Sequence, residues 1–203
     1  SPIQNNFGLN WLKKKTNSQN RPLFGTIVKP KAGLNSEQLI QIVEQMIDGG
    51  VDFIKEDEIM ADNEYLPLSL RVELIDNLIN KKNANCIYTA CINDNPSNLI
   101  KNLDMIAKSS LGVHINFWSG LGSYCESQKK GIFNHFQRSG IRILTNQSNP
   151  FGIEWSVIVK LATWSGIDSI HLGMLGGYYP DDEPDEHLIK LIEFCTQNNV
   201  IPA

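Results

Sequence analysis

Lysine and carboxylate side chains gather in Gly49–Glu58, where a glycine pair and a short apolar run end in one lysine and three carboxylates. Strand side chains alternate between two faces, so Lys55 and Asp57 should point the same way, and Glu58 joins them if the strand bends at its end. Carboxylates beside a lysine suit a hard cation such as Mg²⁺, which prefers oxygen ligands. For this motif alone, a solvated charged loop after a buried strand is the competing interpretation.

A second lysine lies at a strand end just upstream. The apolar run Leu23–Val28 is broken by Pro30, because proline has no N–H to donate to a sheet ladder. Lys29 falls at the break, and Lys31 follows the proline. Two lysine-bearing strand ends this close along the chain favour a functional site, with a lysine that only anchors the turn as the alternative for Lys29.

Apolar strands alternate with amphipathic helices along the whole chain. We predict strands at Leu23–Val28, Val51–Ile54, Asn85–Ile92, Gly112–Trp118, Ile141–Leu144 and Ile167–Leu172, and the start of a seventh at Val200. Five helices are predicted between them. Three have both ends defined: Asn35–Ile47, Pro67–Asn80 and Glu186–Asn198. Of the other two, one begins at Pro96 and one ends at Ser165. The first of these helices should open with a capping box of Asn35 and Gln38. This alternation is typical of parallel βα units and predicts an α/β protein with most of a (β/α)₈ TIM barrel, whose active sites lie at the carboxyl ends of the strands.

Length, net charge and composition limit the functional classes that fit this chain. A chain of 203 residues can bury a substantial core as one domain. A formal charge of −4 without a basic tract argues against a nucleic-acid partner. The longest apolar runs have the length of strands, so we expect no membrane span. The cysteines lack metal-binding spacing, which indicates reduced packing thiols in a cytoplasmic protein; they are Cys86, Cys91, Cys125 and Cys195.

Both chain ends suggest a piece of a longer protein. The chain opens with Ser1-Pro2, and Val200–Ala203 has the composition of another buried strand. We therefore expect residues 1–203 to be a partial barrel domain. Because a (β/α)₈ barrel needs eight strands, we also expect this piece to be inactive by itself.

The two lysine motifs, Lys29-Pro30-Lys31 and Gly49–Glu58, resemble those of the RuBisCO (ribulose-bisphosphate carboxylase) large subunit and the RuBisCO-like proteins. In that family Lys-Pro-Lys follows the first barrel strand, and Gly-Gly-x-Asp-Phe-x-Lys-x-Asp-Glu follows the second. The resemblance implies a Mg²⁺-dependent enzyme that acts on a small phosphorylated keto sugar or keto acid. It also implies a homodimer or a larger assembly, with an active site built across the dimer.

The resemblance gives roles to the lysine motifs. It implies that Lys29 abstracts a substrate proton and that CO₂ carbamylates Lys55, so that the carbamate binds Mg²⁺ together with Asp57 and Glu58. Carbamylation needs a neutral amine, and partial burial in the barrel mouth would lower the pKa of Lys55 in that direction. Glu56 has the opposite strand parity and is predicted to face outward in a salt bridge.

Substrate-binding positions follow from the same resemblance. His171 matches a family histidine that holds a substrate phosphate, although a lone strand histidine is often only a satisfied core residue. Asn116 matches a family aspartate, and Thr89 lies near a family asparagine beside the metal. The predicted substrate-binding set is Lys31, Thr89, Asn116, His171 and Gly173.

Three departures from the family pattern argue against carboxylation. The predicted fifth strand and its end, Arg142–Asn146, lack the family's histidine–arginine pair at the aligned positions, and the arginine's charge contacts phosphate. In the loop after strand six, Tyr178 stands where a lysine would stabilise the added CO₂, and a tyrosine stabilises a developing carboxylate less. The strands that would supply the glycine-rich phosphate site lie beyond residue 203. We therefore predict a Mg²⁺-dependent enolase, isomerase or lyase of the RuBisCO-like type, with a carbon-fixing carboxylase and a non-catalytic RuBisCO-like protein as the alternatives.

Overall fold

The computed structural model describes residues 3–5, 7–137, 153–177 and 184–203. Within these residues a single sheet of seven parallel strands follows the order of the chain from first to last. The strands are β1 (Gly25–Ile27), β2 (Phe53–Lys55), β3 (Ile87–Cys91), β4 (Gly112–Asn116), β5 (Asn134–Gln137), β6 (Ser169–Ile170) and β7 (Ile201–Pro202). The helices are α1 (Leu9–Lys15), α2 (Ser36–Asp48), α3 (Leu68–Lys82), α4 (Pro96–Ile106), α5 (Gly122–Lys129), α6 (Trp155–Trp164) and α7 (Asp185–Gln197), with a short 3₁₀ helix at Phe117–Ser119.

This sequential parallel order is that of an incomplete TIM barrel and confirms the predicted α/β fold class. Two helices begin with the caps that the sequence predicts. The capping box of α2 is formed, because the Gln38 backbone N–H donates to the Asn35 side chain at 2.9 Å and the Asn35 backbone N–H donates back at 3.0 Å. Asn95 caps α4 through the Asn98 backbone N–H at 3.0 Å, ahead of Pro96 at the first helical position.

The fifth strand is where the sequence prediction is wrong. β5 is Asn134–Gln137, which pairs with β4 on one side and β6 on the other. The stretch predicted as the fifth strand, Ile141–Leu144, lies outside the described residues. All four residues of β5 are buried although three of them are polar, and tertiary hydrogen bonds hold some of their polar groups: Asn134 Nδ2 donates to the Gly166 carbonyl at 3.2 Å, and His135 Nδ1 lies 2.9 Å from Ser169 Oγ. A polar buried strand gives no apolar signal, so the apolar run downstream has the stronger strand pattern in the sequence.

The main core lies between the sheet and the surrounding helices. Strand residues that face outward pack there against helix residues such as Leu39 and Val43 of α2, and those strand residues include Ile54, Val113, Ile115, Phe136 and Ile170. None of the helices in the described part of the chain is long and apolar enough to cross a membrane.

A smaller aromatic cluster closes the amino-terminal end of the barrel. Trp11 of α1 stacks on Phe133 with ring centroids 5.8 Å apart, and Phe7 lies 4.3 Å from Trp11. Phe53 of β2 reaches the same cluster from inside the barrel. The amino-terminal end is therefore filled by aromatic side chains, and the polar residues of the interior lie toward the carboxyl ends of the strands.

Gly112 provides a test of this packing. A Cβ atom at Gly112 would lie 2.8 Å from the Phe133 carbonyl oxygen and 3.1 Å from Thr89 Cγ2, and a backbone oxygen cannot move aside cheaply. We expect Gly112→Ala to lower the free energy of unfolding by roughly 1–3 kcal/mol, measured by urea denaturation. Gly122→Ala is the control, because a Cβ atom at that position would have no heavy atom within 4 Å and the residue sits in a helix, which favours alanine. Equal stability of the two variants would contradict this packing.

Candidate active site

Two lysine–carboxylate ion pairs lie at the carboxyl ends of β1 and β2. Lys29, just beyond β1, forms an ion pair with Asp57. Lys55, the last residue of β2, donates to Glu58 Oε2 at 3.2 Å. The Lys29 side chain is 58% exposed whereas that of Asp57 is only 2% exposed, so the lysine reaches solvent from a fixed carboxylate. The structure thus brings together the four residues that the sequence analysis singled out as base and metal ligands.

Asparagine side chains hold the backbone of this loop from inside the barrel. Asn116 Nδ2 donates to the Glu58 carbonyl at 2.7 Å, and Asn93 Nδ2 donates to the same oxygen at 3.2 Å. The Asn93 amide oxygen in turn accepts from the Asn116 backbone N–H at 2.7 Å. Asn116, predicted to bind substrate, therefore contacts the loop that carries the carboxylates. Asn93 was missed, and its place two residues after an apolar strand was the available signal.

Glu56 faces outward from the sheet, as its strand parity predicts, and forms an ion pair with Arg71 of α3. Both side chains have no exposed surface. Sequence reasoning missed Arg71, although a charged residue between Leu68 and Ile75 on the apolar face of a helix requires a buried partner.

Two buried histidines in the barrel interior were also missed. His114 of β4 and His135 of β5 are opposite each other in the strand register, with ring centroids 5.8 Å apart. His114 Nδ1 lies 3.2 Å from the Glu56 carbonyl, and His135 Nδ1 lies 2.9 Å from Ser169 Oγ. Burial lowers the pKa of both imidazoles well below the usual value, and the positive charge of Lys55 acts in the same direction. Both rings are therefore neutral near pH 7.

The other predicted substrate-binding residues are spread around the same end of the barrel. Lys31 is exposed, and Thr89 is buried with its hydroxyl 3.5 Å from the Ile54 carbonyl. His171 follows β6 and is half-buried, and its backbone N–H donates to the Phe136 carbonyl at 2.9 Å. Gly173 has a φ of 133°, which disfavours other residue types. Tyr178 lies outside the described residues.

A family model described as the ribulose bisphosphate carboxylase large chain, catalytic domain, matches residues 8–199. The chain belongs to this family.

Named relatives place it among RuBisCO-type proteins. The chain is 32% identical over 207 residues to a ribulose bisphosphate carboxylase of Methanosarcina mazei, with 96% of this chain and 47% of the relative covered. It is 30% identical over 193 residues to a 3-oxo-isoapionate-4-phosphate decarboxylase of Rhizobium rhizogenes. That match covers 91% of this chain and 45% of the relative. The octameric RuBisCO of Pyrococcus horikoshii shares the fold, with a TM-score of 0.78 and 20% identity over 99% of this chain and 50% of that one. The chain spans about half the length of the curated relatives it matches.

The RuBisCO family's histidine–arginine pair must be sought at the end of the observed fifth strand. β5 ends at Gln137, and Arg138 follows it in the sequence, outside the described residues. Arg142–Asn146 therefore does not mark the end of the fifth strand, and the lack of the pair in that stretch is no longer an argument that its arginine is missing. Counted from the observed strand end, the pair would correspond to Gln137 and Arg138 in the sequence.

The donor set fits the Mg²⁺ that the RuBisCO family implies. Within the described ranges no three histidine, cysteine, aspartate or glutamate side chains are arranged to hold a metal, so Asp57 and Glu58 need a further anionic ligand. A carbamate on Lys55 would supply that oxygen. Burial lowers the pKa of Lys55, against the opposing effect of Glu58 and Asp57, and a lower pKa increases the fraction of neutral amine that can add CO₂.

The neutral histidines make stability depend on pH. In the unfolded chain each imidazole binds a proton near pH 6.5, whereas in the folded protein His114 and His135 do so only at lower pH. The unfolded state therefore binds more protons as pH falls, and the free energy of unfolding should drop by about 1.4 kcal/mol per pH unit for each histidine below about pH 6.

Urea denaturation at pH 7 and pH 5 checks this expectation. His135→Gln should remove about half of the histidine-dependent drop, because glutamine can still bond Ser169 without titrating. The interpretation is wrong if the variant and the wild-type protein lose equal stability between the two pH values.

Proposed function

We propose that this RuBisCO-family protein is a Mg²⁺-dependent enzyme that removes a proton next to the carbonyl of a small phosphorylated keto sugar or keto acid, in an enolisation, isomerisation or lyase reaction. One observation carries the proposal. The two lysines and two carboxylates that this chemistry requires meet at the carboxyl ends of β1 and β2, where the fold places active sites.

Each residue has a role in the proposed reaction. Asp57 and Glu58, with a carbamate on Lys55, hold Mg²⁺. Bound Mg²⁺ supplies Lewis-acid polarisation of the substrate carbonyl. Lys29 is the base, because its side chain is the exposed member of its ion pair and can reach a substrate at the barrel mouth. Asp57, which pairs with Lys29 here, would then serve the cation instead, and the Lys29 side chain would be available to the substrate.

The phosphate of the substrate would lie on the far side of the mouth. His171, which follows β6, is proposed to contact it there, as the family pattern implies, and Lys31 and Gly173 are proposed as further substrate contacts. The name of the Rhizobium rhizogenes relative, a decarboxylase of a phosphorylated keto acid, supports the lyase variant of the proposal. The name of the Methanosarcina mazei relative, and an arginine that directly follows β5 in the sequence (Arg138), support carboxylation as the second candidate.

We further propose that the complete gene product is a cytoplasmic homodimer or larger homo-oligomer without a nucleic-acid partner. The octameric assembly of the Pyrococcus horikoshii protein of the same fold supports the oligomer. Because the chain spans about half of its relatives, activity is a property to be measured on the complete gene product.

The base is tested by Lys29→Ala in the complete gene product. With ribulose bisphosphate and other phosphorylated keto sugars as probes in D₂O, nuclear magnetic resonance follows exchange of the proton next to the carbonyl. We expect exchange to fall by about 10²–10⁴-fold, the usual contribution of a general base. Lys129→Ala, which removes a lysine paired only with Glu126 on the surface of α5, should exchange normally. Full exchange by Lys29→Ala would exclude this role, and incorporation of ¹⁴CO₂ into ribulose bisphosphate would favour the carboxylase.

The carbamate is tested by the CO₂ dependence of metal binding. Binding of Mn²⁺, used as a paramagnetic substitute for Mg²⁺, should tighten when bicarbonate is added, and more so at pH 8 than at pH 6, because only the neutral amine of Lys55 reacts. Lys55→Arg keeps the charge but cannot form the carbamate, so it should bind Mn²⁺ weakly with or without bicarbonate. Equal affinity of the wild-type protein in CO₂-free and bicarbonate buffer would refute the carbamate, and the absence of any Mn²⁺ binding would favour a non-catalytic protein.

A further inference from the structure

A carboxylate with no access to solvent lies next to the proposed metal ligands. Glu56 accepts hydrogen bonds from four donors: Arg71 Nε at 2.9 Å, Arg71 Nη2 at 3.1 Å, the Tyr88 hydroxyl at 2.9 Å and the Cys91 backbone N–H at 2.8 Å. The donors come from α3 and β3, so the end of β2 is tied to two neighbouring elements. Glu56 itself cannot contact a substrate, because it lies on the outer face of the sheet beneath α3.

The same arginine also binds the loop that carries the metal ligands. Arg71 donates to the carbonyls of Leu66 at 2.6 Å, Met60 at 3.0 Å and Ala61 at 3.4 Å. These carbonyls belong to the segment between β2 and α3, which begins with the proposed ligands. The segment therefore wraps around one guanidinium group, whose donors bind the Glu56 side chain before Asp57 and Glu58 and backbone carbonyls after them.

Stability alone does not account for this arrangement. Removing an arginine and a glutamate from water costs several kcal/mol per ion, and a well-packed apolar pair is often as stable or more stable. An apolar pair, however, makes no directional hydrogen bonds. A guanidinium presents five N–H donors in a rigid fork, so it can fix several acceptors relative to one another.

We propose that Arg71 and Glu56 are positioning residues that preset the geometry of Asp57 and Glu58 for the metal. This inference rests on the proposed function. Glu56 fixes the residue before the ligands, and the Met60 carbonyl is fixed by Arg71 just after them. From inside the barrel, Asn93 and Asn116 hold the Glu58 carbonyl. The ligand segment is thus held from both faces of the sheet before any metal binds.

The test replaces the pair by neutral residues of similar size. Glu56→Gln combined with Arg71→Met leaves neither partner of the pair as an unpaired buried charge, but it removes the bonds to the Met60 and Leu66 carbonyls. Electron paramagnetic resonance of free Mn²⁺, titrated in bicarbonate buffer, should show a ten- to hundredfold weaker affinity, as expected for residues that support metal ligands. In the metal-free protein, amide hydrogen exchange of Ile59 and Met60 should become faster. Both amides now bond within the segment, to Asp57 Oδ1 and to the Asp57 carbonyl, each at 3.0 Å.

A matched pair at the other end of β2 is the control. Arg21 donates to both oxygens of Asp52, at 2.6 and 2.7 Å, so Arg21→Met with Asp52→Asn removes the same kind of bidentate pair away from the site. That variant should bind Mn²⁺ like the wild-type protein. If the Glu56–Arg71 double variant is folded and also binds like wild type, the inference is overturned.

Arg71→Lys tests the positioning role if the double variant does not fold. A lysine keeps the charge beside Glu56 but cannot reach all the carbonyls that the guanidinium fork bridges, so Mn²⁺ affinity should again fall at least tenfold. Unchanged affinity and unchanged exchange of Ile59 and Met60 in this variant would overturn the inference. A wild-type protein that binds no Mn²⁺ would instead refute the proposed function, on which the inference rests.

Discussion

The buried carboxylate of Glu56 is the interaction on which the arrangement of the site depends. Successive residues of a strand point to opposite faces, so the chain can send Lys55 into the barrel only by sending Glu56 beneath α3. A carboxylate placed there is tolerated only when donors surround it. Arg71 of α3, Tyr88 of β3 and the Cys91 backbone supply those donors, so three elements must meet in one arrangement. Burial and the charge of Glu56 also raise the pKa of the Cys91 thiol to about 12, which keeps that cysteine unreactive.

The side chains inside the barrel change from aromatic to polar along the barrel axis. At the amino-terminal end, Phe53 and Phe133 pack with residues of α1. Further on, His114 and His135 lie opposite each other with the charge of Lys55 acting on both, and Asn116 follows at the carboxyl end of β4. TIM barrels are commonly filled by branched apolar side chains, so a polar interior implies a use at the carboxyl end. Burial in this interior favours the neutral forms of the histidines and lowers the pKa of Lys55.

The fold could be predicted from the sequence because its signals are local. Apolar runs, caps such as Asn35 and the helix spacing each depend on a few neighbouring residues. The same locality explains why Lys29, Lys55, Asp57 and Glu58 were found as a set. β5 was misplaced because tertiary contacts bury its residues, whereas its polar sequence lacks the apolar pattern by which a strand is predicted. The roles of Arg71, Asn93 and His114 were missed for a related reason: their partners lie on other elements, and only the parallel register brings them together.

The position of β5 changes what separates this chain from a carboxylase. The strand ends at Gln137 rather than in Arg142–Asn146, so the lack of the family pair in Arg142–Asn146 no longer argues against carboxylation. The ion pairs proposed for proton removal, and the groups that support them, all belong to the stretch from Lys29 to Asn116. The groups expected to contact phosphate or CO₂ follow β5 and β6. Two relatives with different reactions match this chain at 32% and 30% identity. A proton-removing half that is shared and a second half that varies would account for that, since enolisation is common to several carbon–carbon reactions while the contacts made afterwards select among them.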